Sequence, residues 1–351
     1  MIMNKRNTLF ALAAAMLVCG CTVTTPQAPV RPGVKVLRRA GSAEQIKRRD
    51  AFKKLFSGLP VRGIGLFHRA FNSGYDNAEI CRFLVSCGFN RAYFCITSES
   101  ELDPALADFL HSANVSGLKV EAVLRQRDFY SRPRGNRVLR SMSNEYPDLA
   151  AAVKHVIAFN NTLPPESRIC GITVQVEPHY FTAGRIGSGQ IYAWSEKAFG
   201  PGLDNDMLVR ETLAMLKKID TAGLPLTIGV PDSYHDLAEE NKISCGKVQD
   251  FAAVCSPAPV IMLMSSGNKP GEVITRAERE LAAAGSAKTL LGITLADHTS
   301  VAANGLRRRD WNDLERILRY VVKTAVRKSG GFEGVVIQPL AVFENIMMEQ
   351  D

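Results

Sequence analysis

The chain has 351 residues, 46% of them hydrophobic, and a formal net charge of +8. That charge sits at its start: residues 1–60 hold 11 of the 43 Lys and Arg but 2 of the 35 Asp and Glu, leaving 32 basic and 33 acidic residues for 61–351. A balance of −1 over the folded part shows no basic face of the kind a nucleic-acid partner needs, which excludes that class.

Residues 1–21 read as a targeting segment. Lys5 and Arg6 precede an apolar run, Leu9 to Val18, long enough for a signal-peptide core and too short to span a bilayer. The run ends Leu17-Val18-Cys19-Gly20-Cys21, which resembles the lipobox of bacterial lipoproteins. The resemblance implies cleavage after Gly20 and a lipid on the Cys21 sulfur. Thr22, in place of the aspartate that retains lipoproteins at the inner membrane, implies a bacterial outer-membrane location; an ordinary cleaved signal is the plainer alternative. Residues 22–60 read as a basic, proline-containing tether whose charge suits anionic lipid headgroups. Gln45 to Phe56 carry a helical pattern leading into the folded part. The folded domain is expected over 61–351.

From Gly63 onward, short apolar runs alternate with longer amphipathic stretches. The predicted strands are 63–68, 91–96, 119–124, 171–176, 225–230, 258–264, 289–295 and 333–338. Most are apolar throughout, as parallel strands buried on both faces are. Between them lie helix starts: Asp76 with Glu79, Asp103 before Pro104, Asp204 or Asn205, and Asp310. Eight βα units over this length predict an α/β fold, a (β/α)8 TIM barrel, whose active sites form at the carboxyl ends of the strands. An open doubly wound sheet fits less well, because Phe67-His68-Arg69-Ala70 after the first strand is no phosphate-binding loop.

Two long segments on the expected catalytic side are chemically distinctive: the arginine-rich 125–147 and the aromatic 179–202, which includes Tyr180 and Trp194. The fourth strand ends on a lone acid, Glu177, ahead of Pro178. Six cysteines beyond the leader form no C-x-x-C pair and read as small buried hydrophobes rather than disulfides.

Phe159-Asn160-Asn161, Cys170-Gly171-Ile172 and Val176-Glu177-Pro178-His179 resemble the corresponding stretches of uncharacterised bacterial glycoside-hydrolase-like TIM-barrel proteins. Pro259 to Met264 and Gly331 to Gln338 are similar to their sixth and last strands. The resemblance implies a carbohydrate ligand or substrate and Glu177 as proton donor. The sequence departs from that pattern at Gln175, where an acid is expected, at Ser265 or Ser266 for a tyrosine, and at Thr294-Leu295 for a glutamate.

A glycosidase of the two-carboxylate type needs a second acid. Asp297 is the first candidate and Asp232 the second. His68, Arg125, Asp128, His179, Tyr180, Trp194 and Gln338 are the candidate substrate-binding residues. His68, His179, His235 and His298 lie near strand ends without H-x-H or helical-pair spacing, so no metal and no cofactor is expected. No G-x-S-x-G elbow supports a serine hydrolase. The alternative to catalysis is a carbohydrate-binding or envelope-scaffold lipoprotein with a degenerate site.

Overall fold

The computed structural model describes residues 42–67, 76–129, 149–176, 203–232, 234–241, 243–265, 270–295, 311–328 and 330–348. Eight strands close into a barrel in sequence order: β1 (Val61–Phe67), β2 (Arg91–Ile96), β3 (Lys119–Arg125), β4 (Gly171–Gln175), β5 (Leu226–Pro231), β6 (Val260–Ser265), β7 (Thr289–Thr294) and β8 (Phe332–Gln338). All neighbours are parallel, and β8 returns to pair with β1, Val61 opposite Gly334. Each predicted strand is present, with ends shifted by one or two residues.

Helices fill the outer layer: α1 (Ala43–Phe56), α2 (Asn77–Ser86), α3 (Pro104–Val115), α4 (Leu149–Thr162), α5 (Leu203–Leu216), α6 (Tyr234–Glu239), α7 (Val248–Ala252), α8 (Pro270–Ala284), α9 (Trp311–Lys328) and α10 (Leu340–Met348). Two of the expected starts show why they form. The Asp76 carboxylate accepts from the Ala78 N–H at 2.8 Å, and that of Asp103 accepts from Leu106 at 2.9 Å ahead of Pro104. Both satisfy donors that a first helical turn leaves open.

Helix α1 corrects the expected boundary. Ser42 and Gln45 cap it reciprocally, the Gln45 N–H donating to Ser42 Oγ and the Ser42 N–H to Gln45 Oε1. Phe52 and Phe56 are buried; Phe52 stacks within 5.2 Å of Phe89, 5.0 Å of Phe343 and 6.3 Å of Trp311. Residues 43–60 therefore belong to the barrel and are not tether.

The barrel has two apolar layers, which alternation along the strands separates. One parity, such as Ile64, Leu66, Ile172, Val174, Ile228 and Val230, packs outward on the helices. The other faces inward, where Val61, Tyr93, Cys95, Val123, Met262, Leu290 and Val336 cluster. The interior fills by pairing glycine with a large neighbour on the next strand. A Cβ on Gly63 would lie 2.5 Å from the Tyr93 ring, one on Gly65 2.6 Å from Gln338, and one on Gly292 2.7 Å from Met264 Sδ.

Near the amino-terminal ends of the strands the interior is polar. Glu121, 1% exposed, accepts from Arg91 at 2.5 Å and from the hydroxyls of Thr173 and Thr227 at 2.7 and 3.3 Å. This saturation is what allows a carboxylate to stay buried. Burial pushes the thiols of Cys81 and Cys87 up to about 12 and that of Cys170 up to about 11. Cys81, Cys87 and Cys95 are buried as expected, whereas Cys170, Cys245 and Cys255 are half-buried.

Candidate functional site

The inward parity carried to the carboxyl ends of the strands brings Phe67, Arg125, Gln175, Pro231, Thr294 and Gln338 around the mouth. Two of these, Phe67 and Pro231, carried no site expectation in the sequence, because strands buried on both faces do not reveal which parity points inward.

Arg125 and Asp128, proposed as a clamp, do meet. The Arg125 Nε donates to Asp128 Oδ2 at 2.6 Å, both side chains being mostly buried, and the guanidinium lies 5.7 Å from the centre of the Phe67 ring. A charge-assisted bond on one edge and an aromatic face below fix the guanidinium plane. Opposite, the Gln338 amide donates to the Thr294 hydroxyl at 3.1 Å, which joins β7 to β8 above the barrel floor. The Gln175 amide points toward Met264 Sδ at 3.9 Å and occupies the space that Gly229 leaves.

Asp232 does not belong to this set. It follows Val230 on the outward parity, is 1% exposed, and pairs with Arg276 of α8 at 3.6 Å. Its own N–H is spent on the Met264 carbonyl at 3.1 Å. As second catalytic carboxylate it is on the wrong side of the sheet. Glu280, one turn beyond Arg276, is buried beside it; desolvation first, then the charges of Asp232 and Asp236, pushes its carboxyl up to about 9. Asp236 is held in turn by Arg279 at 2.7 Å.

One carboxylate at the mouth side escaped the sequence reading. Glu101, in the turn after β2, accepts from the Thr97 N–H at 2.6 Å and its hydroxyl at 2.8 Å. The Thr-x-x-x-Glu spacing is its only trace in the sequence. Glu177, Asp297, His68, His179, Tyr180, Trp194 and Cys21 lie outside the described residues, as does the side chain of His235. Among the described residues no group of three His, Cys, Asp or Glu is arranged to hold a metal.

No protein family and no curated protein matches the chain in sequence. Similar solved structures include a D-psicose 3-epimerase crystallised with D-fructose, 13% identical with a TM-score of 0.40 over 83% of this chain and 91% of that one. Another is the xylanase 10B of Clostridium thermocellum with xylohexaose, 13% identical with a TM-score of 0.45 over 86% of this chain and 62% of that one. A third is the alpha-L-fucosidase isoenzyme 1 of Paenibacillus thiaminolyticus, at 10% identity and a TM-score of 0.31 over 78% and 75%. These identities are too low to carry any residue's role across.

Proposed function

We propose that this chain is a lipid-anchored, glycoside-hydrolase-like barrel of the bacterial envelope that acts on or binds a carbohydrate at the carboxyl-terminal mouth. In this reading Glu177 donates the proton to the leaving oxygen and Asp297 supplies the second carboxylate. The observation that supports the site is the parity of β4: Gly171, Thr173 and Gln175 share the inner face, so the inward row of this strand leads to the mouth. The inner positions at the mouth support the ligand class. Two carboxamides, a hydroxyl and a clamped guanidinium beside an aromatic ring offer donors, acceptors and a flat surface to a polyhydroxylated ring. In the same reading Cys21, which closes the lipobox-like Leu17-Val18-Cys19-Gly20-Cys21, carries the lipid anchor.

A second reading, a binding barrel without turnover, is favoured by one specific fact. Among the described residues, no Asp or Glu occupies an inner-facing position at the carboxyl end of a strand; Asp128 is engaged by Arg125, and Asp232 by Arg276. The test uses the full chain against a panel of oligosaccharides, with release of reducing ends and binding measured separately. Hydrolysis by wild type, abolished in Glu177→Gln with binding retained, establishes the enzyme. Binding without release in wild type selects the second reading, and no binding to any sugar rejects both. Anomer analysis of the product then reports the carboxylate separation, roughly 5–5.5 Å for retention and 6.5–9.5 Å for inversion.

A further inference from the structure

The balance of −1 after residue 60 conceals an uneven distribution. With α1 inside the fold, two neighbouring helices each carry a net positive charge that the remainder offsets. Helix α1 carries Lys47, Arg48, Arg49, Lys53 and Lys54 against Glu44 and Asp50; α9 carries Arg316, Arg319, Lys323, Arg327 and Lys328 against Asp313 and Glu315. Each helix is +3, so everything else from residue 61 onward sums to −4. The two helices touch through Phe52 of α1 and Trp311 of α9.

Burial separates their faces. In α1 the residues turned inward are Gln45, Arg48, Phe52 and Phe56, while Lys47, Lys53 and Lys54 are exposed, Lys47 at 79%. In α9 Leu314, Ile317, Leu318 and Val321 are buried, and Arg316, Arg319, Tyr320 and Lys323 face solvent. Tyr320, 44% exposed, adds an amphipathic ring of the kind that favours a headgroup layer. Acidic residues on or beside this face include Glu44 beside Lys47 at 3.8 Å, Glu315 beside Arg319 at 3.0 Å, and Glu278, which accepts from the Tyr320 hydroxyl at 3.0 Å.

We propose that the outer faces of α1 and α9 dock the barrel on an anionic phospholipid surface. Charge complementarity argues for it, and so does position in the sequence: α1 is the first described element after Cys21, the residue that the lipid anchor would hold. The partner class rests on that anchor, and the sugar chemistry of the mouth is not involved. Attraction of this kind is distributed over many charges, decays within a Debye length and is weakened by salt.

The test is amine footprinting of the full chain on vesicles with an acetylating reagent, read residue by residue by mass spectrometry. On vesicles rich in phosphatidylglycerol, labelling of Lys47, Lys53, Lys54 and Lys323 is expected to slow at least about threefold relative to zwitterionic vesicles. Lys119, Lys217, Lys218 and Lys288 serve as internal references on other elements, and the difference should vanish in high salt. A quadruple variant, K47E/K53E/K54E/K323E, checked for unchanged thermal unfolding, should lose the dependence on lipid charge. The Cys21→Ser chain separates anchor from patch: protection that persists there belongs to the patch itself. Equal labelling on both lipids, or protection of the reference lysines to the same degree, overturns the proposal. Stronger protection of these four lysines by duplex DNA than by anionic vesicles overturns it in favour of a nucleic-acid surface.

Discussion

Glu280→Gln replaces a buried acid by a neutral residue of the same shape. Burial, reinforced by Asp232 and Asp236, raises the Glu280 carboxyl from the ordinary 4.5 to about 9. The sign follows from that direction. The folded chain keeps a proton that the unfolded chain releases, so this group's contribution is complete below about pH 4.5 and is lost as pH rises toward 9. Each pH unit in that window removes about 1.4 kcal/mol. The wild type thus gives up about 3 kcal/mol by pH 7 and about 6 by pH 9, as an upper bound, since structural relaxation and entering water reduce both. Against a typical total of about 5–15 kcal/mol, this is a large fraction. Urea unfolding of both proteins at pH 5, 7 and 9 isolates the effect, because the difference between them cancels every other titrating group. Glu280→Gln should match wild type at pH 5 and become progressively more stable above it. A difference constant to within about 0.5 kcal/mol across the three pH values would refute the reasoning.

Phe52→Ala should cost about 3–5 kcal/mol in urea unfolding, because the ring joins α1 to Phe89, Phe343 and Trp311; a loss below about 1 kcal/mol would return α1 to the tether. Gly63→Ala places a methyl 2.5 Å from the Tyr93 ring and should cost about 1–3 kcal/mol, part of it recovered in a Gly63→Ala/Tyr93→Leu double variant. Cys170, its thiol raised by burial to about 11, should alkylate at pH 8 roughly a hundredfold more slowly than in the urea-unfolded chain.

The eight strands were readable because each is a short apolar run closed by polar or glycine residues, a signal that survives without knowledge of partners. Orientation was not. In a strand such as Leu226–Pro231, buried along its whole length, both parities are buried, and nothing local marks Asp232 as outward. Only the barrel's closure, with Arg276 waiting on α8, decides it. The helix over Gln45 to Phe56 was legible, but how far it belongs to the barrel was not: two of its four buried positions are Gln45 and Arg48, so its inward stripe has little hydrophobic contrast. The Arg125–Asp128 pair lies three residues apart in one turn and was readable for that reason, whereas the bond from Gln338 to Thr294 joins two strands and was not.

The seal between β8 and β1 sets an order on biogenesis. Val61 finds its partner Gly334 almost at the other end of the chain, so the first strand emerges with one edge unpaired and stays so until nearly all the rest has been made. Under the export proposed above, this delay would be useful: a barrel unable to lock before its last strand arrives stays threadable, and it closes only once the whole chain has crossed.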